Sequence, residues 1–224
     1  MLSSNSRLQN HPKWGFIIYR CDYRDDFIWA RFIDQWSQWV NDWLIRHGDR
    51  GLINNLAWTV REDRASLDGA TIEDVRGLFT AWTKTEQAIA EQQRAVDSHV
   101  LGSPRYRFCA FVDAKALDEC LRFDGLPEST QLQFWSRRRD PALGHAPYIT
   151  LIEKIDDTIA PPQHDDKDMK EEEEEEEDSD EEAVAISVKV HWRAALPDVF
   201  VALNQSPDEF QRMAFEVDQD RVHS

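Results

Sequence analysis

Apolar residues run almost unbroken through residues 14–19, as Trp14, Phe16, Ile17, Ile18 and Tyr19, and the spacing then changes to steps of three and four. The run suits a central strand covered on at least one face. Trp29, Phe32, Ile33, Trp36, Trp39, Val40, Trp43 and Leu44 carry the stepped pattern, with Arg31, Asp34, Gln38, Asn41 and Asp42 on the other side, which predicts an amphipathic helix. The acidic turn at residues 22–26 supplies N-cap candidates, and Gly48, Asp49 and Gly51 end the pattern. Trp29, Trp36 and Trp43 recur every seven residues, close to one line down the helix. Such a ladder can serve as a platform for an aromatic ligand. Aliphatic residues share this stripe, however, so it reads as the face that packs on a sheet.

Residues 53–60 alternate as a second strand, and residues 61–70 are polar and contain Asp68-Gly69, a loop. Thr71 and Asp74 resemble a capping box, opening a helix through Val75, Phe79, Trp82, Ile89, Val96 and Val100. Glu86 and Gln93 fall on that seam and predict a partly exposed second half. Residues 106–113 (YRFCAFVD) form a strand, and Asp113 can cap a helix through Leu117, Cys120 and Leu121, broken at residues 124–127. Leu132, Phe134 and Trp135 suggest one anchored turn. Residues 148–155 and 184–192 are strands, Pro197 and Asp198 open a last helix through Phe200 and Leu203, and a further turn spans residues 207–215.

Strands alternating with helices in this order predict an α+β two-layer sandwich, ferredoxin-like, with a mixed or antiparallel sheet and helices mainly on one face. A Rossmann arrangement is disfavoured, because Tyr19-Arg20-Cys21-Asp22 stands where a glycine-rich phosphate loop would follow the first strand. The predicted organisation is a single domain over residues 13–215, flanked by a disordered N-terminus (1–12) and a flexible C-terminus (216–224). A disordered acidic loop interrupts the domain at residues 160–183.

The loop changes the electrostatic picture. Residues 165–182 hold fourteen acidic side chains, including seven consecutive glutamates, against Lys167 and Lys170, so they carry −12 of the chain's net −17. Like charge at that density, with Met169 the only sizeable apolar group, predicts a solvated segment. Such a segment can engage a basic protein surface or serve as an inert spacer, and composition fits both. Nucleic acid is disfavoured, since the only dense basic cluster is Arg137, Arg138 and Arg139. Three cysteines, Cys21, Cys109 and Cys120, lack metal-like spacing and read as reduced thiols of a cytoplasmic or nuclear protein. With no apolar leader and no long apolar stretch, neither secretion nor membrane spanning is expected.

The segments WGFIIYRCDYRDDFIWARF (14–32), DRASLDGA (63–70), YRFCAFVDAKALD (106–118) and ALPDVFVAL (195–203) resemble a large family of filamentous-ascomycete proteins. That resemblance implies no activity, cofactor or catalytic residue, and the glutamate run is not part of the shared pattern. The seven histidines are scattered without metal spacing, so neither a metal nor a cofactor is expected. Chemistry, if present, falls to polar residues where strands leave the sheet: Arg20, Asp22, Arg61, Asp63 and Asp113. An arginine beside a carboxylate can bind an anion or shift a pKa, but helix capping accounts for the aspartates equally well. The leading expectation is a non-enzymatic protein making electrostatic contacts through its acidic loop. The alternative is a small-molecule enzyme or binder, cyclase-like or dehydratase-like, of fungal secondary metabolism.

Overall fold

The computed structural model describes residues 13–93, 103–133, 147–155, 187–206 and 209–213. The acidic tract, the arginine triplet at residues 137–139, both termini, and Val96, Val100, Phe134 and Trp135 lie outside the described residues. Among the described residues five strands form one mixed sheet: β1 (Ile17–Arg20), β2 (Thr59–Arg61), β3 (Phe108–Val112), β4 (Tyr148–Glu153) and β5 (Ser187–His191). Their order across the sheet is β2-β1-β3-β4-β5. β1 runs parallel to both β2 and β3, while β3–β4 and β4–β5 are antiparallel.

The aromatic stripe forms helix α1 (Asp26–Arg46), capped by the Asp25 carboxylate, which accepts from the backbone N–H groups of Phe27 at 2.8 Å and Ile28 at 3.3 Å. Trp29, Phe32, Trp36, Val40 and Leu44 are buried, whereas Trp43 is half-buried and stacks on the exposed His47 ring. The ladder is therefore core over its first two steps and surface at its last.

The α+β class holds, but the helices do not keep to one face as the two-layer ferredoxin-like expectation required. Every residue of β1 and of β3 is buried, and a strand buried on both sides needs two covers. Side chains alternate, so Phe16, Ile18, Phe108 and Ala110 pack beneath α1 and α6 (Ala114–Asp124), together with Trp192, Phe200 and Leu203 from the C-terminal segment. Ile17, Tyr19, Cys109 and Phe111 pack on the opposite side against Val75, Phe79 and Trp82 of α3 (Ile72–Thr83).

Several boundaries differ from the sequence pattern: Tyr106 and Arg107 belong to a short helix before β3, residues 64–67 of the expected loop are helical, and Trp192 opens a helix after β5. Two further differences have local neighbours that the structure shows. Residues 50–55 wind into a 3₁₀ turn, and β2 begins only at Thr59. Gly15 lies against this segment: its φ of 98° bends the chain after Trp14, and a Cβ there would meet Leu56 Cδ1 at 3.0 Å and the Ala57 carbonyl at 3.3 Å. Trp14 still bridges to the incoming segment, its N–H donating to the Asn55 carbonyl and its carbonyl accepting from the Ala57 N–H. The long second helix is two, α3 and α4 (Glu86–Gln93). Thr85 divides them, because its hydroxyl donates to the Trp82 carbonyl at 2.8 Å and accepts from the Ala88 N–H at 3.3 Å.

Candidate functional site

The strand-end residues singled out from sequence gather at the carboxyl end of the parallel triplet β2-β1-β3, on both sides of the sheet. Arg20 closes β1 and points to the α1 side, where its guanidinium lies 4.4 Å from the Tyr23 ring centroid and 5.3 Å from that of Trp29. Its Nε donates to the Asp22 carbonyl at 2.9 Å and its Nη2 pairs with Asp26 at 2.6 Å. Asp22 is buried and takes a two-pronged contact from Arg24, whose hydrogen bonds hold the carboxyl below the usual carboxylate range. Arg24 continues to Asp118 on α6 at 3.0 Å, so Arg24 ties the segment after β1 to α6. Asp113 caps α6, accepting from the Ala116 N–H at 2.7 Å, and Asp63 caps the short helix α2 (Arg64–Leu67) through the Ala65 N–H.

Arg61 stands apart. It is the register partner of Tyr19, so both side chains leave the sheet on the α3 side, opposite to Arg20. Arg20 and Asp22 are thus brought together, Asp113 lies beside them through the pairing of Arg20 with Val112 and through α6, and Arg61 occupies the other face.

Two polar clusters escaped the sequence reading. At the amino end of the triplet, Arg105 is fully buried in the short helix α5 (Pro104–Arg107). It donates to the Gly15 carbonyl at 3.0 Å and the Thr59 hydroxyl at 2.9 Å, and it pairs with Glu91 of α4 at 3.3 Å. Burial works against the Glu91 charge, but Lys13 at 2.8 Å and Arg105 together bring its carboxyl below the ordinary value. No local pattern announces this cluster, since its members are separated in sequence and meet only through the sheet.

The second cluster sits where β5 passes into the short helix Trp192–Ala194. Arg193 pairs with Asp124 at 2.5 Å, donates to the Gln131 side chain at 3.0 Å and lies 4.5 Å from the Trp39 ring centroid. His191 accepts from the Arg193 backbone N–H through Nδ1 at 3.2 Å, which leaves the proton of the neutral ring on Nε2. Burial, reinforced by the Arg193 charge, pushes the His191 pKa down to about 3. A folded-state pKa below the unfolded value means that unfolding takes up a proton between about pH 6.5 and pH 3, so stability falls as pH drops through that window. Burial raises the Asp124 carboxyl despite Arg193, and this offsets the histidine effect toward the acid end. The histidine window opens at about pH 6.5, above the ordinary carboxylate range. His191→Asn is expected to flatten the stability-versus-pH slope there by up to about 1.4 kcal/mol per pH unit, as read by urea unfolding at each pH. An unchanged slope would show that His191 titrates normally.

The three cysteines are free and buried. Burial raises all three thiol pKa values, that of Cys21 to about 12, so none is a poised nucleophile. Among the described residues no cluster of three or more His, Cys, Asp or Glu is placed to hold a metal, and no helix is long and apolar enough to cross a membrane. Comparison with protein-family models, with curated proteins and with solved structures gave no match.

Proposed function

We propose that this chain is a non-enzymatic interaction protein, in which an α+β body carries a strongly acidic segment that engages basic surfaces of other macromolecules. The observation that carries this reading is the position of residues 165–182 in the fold. They fall between β4 and β5, whose antiparallel pairing runs from Tyr148↔His191 to Ile152↔Ser187. The −12 segment is therefore anchored at both ends by a paired hairpin. Because β4 runs antiparallel to β3, that anchorage lies at the end of the sheet opposite to Arg20, Asp22 and Asp113. Those residues are engaged with one another or with helix ends, whereas the segment concentrates most of the chain's net charge. The buried free cysteines support a reducing compartment, cytoplasm or nucleus. The resemblance to filamentous-ascomycete proteins is carried by apolar structural segments and fits a role for the body as a mount.

The test is binding of a lysine-rich peptide by the full chain and by a chain lacking residues 165–182. The full chain is expected to bind at low ionic strength and to release as salt shortens the screening length from about 10 Å at 0.1 M toward 3 Å at 1 M. The deletion is expected to abolish binding and leave the melting temperature unchanged. Retention of salt-sensitive binding by the deleted chain would reject the reading.

A further inference from the structure

Very little apolar surface holds the helix α4 (Glu86–Gln93) to the body. Of residues 86–91 only Ala88 is buried, in the cluster that contains Trp82 and Tyr106, while Glu86, Gln87, Ile89 and Ala90 are exposed. Isolated helices shorter than about 12 residues are marginal in water, so α4 needs an anchor beyond one methyl group. That anchor is a single carboxylate. Glu91 Oε1 accepts from Lys13 Nζ at 2.8 Å, and Oε2 accepts from Arg105 Nε at 3.3 Å, Arg105 Nη2 at 3.4 Å and the Tyr106 hydroxyl at 3.4 Å. Three side chains, from the segment before β1 and from α5, thus converge on one group whose side chain is 11% exposed.

The receiving half of this contact is fixed without α4. Arg105 also donates to the Gly15 carbonyl at 3.0 Å and the Thr59 hydroxyl at 2.9 Å, and the Tyr106 ring stacks on Trp82 at 6.0 Å. At the other end of α4, Thr85 supplies a pivot: its N–H donates to the Trp82 carbonyl at 3.0 Å, which ends α3, and its own carbonyl accepts from the Ile89 N–H at 3.0 Å, which begins α4. We propose that α4 is an electrostatic clasp, which docks and undocks as a unit about Thr85 and is kept closed by the Glu91 charge rather than by apolar packing. Closed, Glu91 neutralises Lys13 and Arg105. Open, both cations are released at the amino end of the parallel strands, with Arg105 still anchored by Gly15 and Thr59. Segments with few buried apolar contacts are the ones that open without global unfolding. The clasp is independent of the acidic segment.

The experiment is amide hydrogen exchange in the intact chain, followed by NMR at Ile89 in α4 and at Ala110 in the central strand β3, with low concentrations of urea added. A clasp exposes little surface when it opens, so Ile89 is expected to exchange faster than Ala110 relative to intrinsic rates and with almost no dependence on urea, whereas Ala110 exchange rises steeply. Glu91→Gln keeps the shape of the side chain and removes its charge. It is expected to speed Ile89 exchange at least about tenfold, the scale of a lost charge-assisted hydrogen bond, with the urea dependence still flat. The proposal is overturned if Ile89 and Ala110 share one urea dependence in the native chain, which would mean that α4 opens only with the whole fold. It is equally overturned if Glu91→Gln leaves Ile89 exchange unchanged, which would mean that packing holds the helix.

Discussion

Arg105→Ala is expected to destabilise the fold by about 3 to 5 kcal/mol, the usual cost of removing one partner from a buried, hydrogen-bonded charge pair. Three features place Arg105 at the severe end of such substitutions. The residue is fully buried, its Nη1 satisfies the carbonyl of Gly15 at the bend preceding β1, and its Nη2 reaches the Thr59 hydroxyl at the start of β2. Truncation would leave that carbonyl unpaired and Glu91 holding only Lys13 and the Tyr106 hydroxyl. Urea unfolding checks the figure, with a lowered midpoint and an unchanged m-value expected. The double variant Arg105→Met with Glu91→Gln is expected to recover part of the loss, because a matched pair removed together strands neither charge. A loss below about 1 kcal/mol for the single variant would mean that the cluster behaves as an exposed ion pair.

Trp36→Ala is expected to cost a similar amount, about 3 to 5 kcal/mol, for a different reason. Trp36 is 0% exposed and makes ring contacts with Phe32 at 5.6 Å, Trp58 at 5.2 Å and Trp192 at 6.5 Å. Its indole N–H has no acceptor among the described residues, so packing alone holds it. Trp36→Phe is therefore expected to be much milder than alanine, because it removes no hydrogen bond and leaves a smaller void. For a domain of this size the alanine variant should melt about 6 to 20 °C lower. A shift of a degree or two would contradict the core assignment. Trp43, half-buried and stacked on His47, should tolerate alanine far better than Trp36.

The elements that sequence made legible are those whose signal is local. The spacing of Trp29, Phe32, Trp36, Val40 and Leu44 is enough to define α1 and its buried face, and the run at residues 108–112 is enough to define β3. Asp113 and the Thr71–Asp74 box cap the helices they precede, since capping depends on three or four consecutive residues. Face allocation was less legible. An unbroken apolar run such as Phe16 to Tyr19 does not say whether one cover or two will be supplied, and helices on both sides emerge only from the pairing of β1 with both β2 and β3. The strand-end candidates were placed correctly along the chain, yet alternation sends Arg20 and Arg61 to opposite faces. The Lys13, Glu91 and Arg105 cluster had no signature at all. Those residues are brought together by α4 and α5 folding over the same end of the sheet, a tertiary event with no periodicity to read.

The pairing of β4 with β5 has one more effect. Ile152 faces Ser187 across the ladder whatever the length of chain joining them, and the entropy of closing such a connection grows only with the logarithm of its length, about 0.6 kcal/mol per doubling. Lengthening or shortening the connection between them therefore adds little loop-closure cost, which makes this hairpin a natural graft point for a reporter.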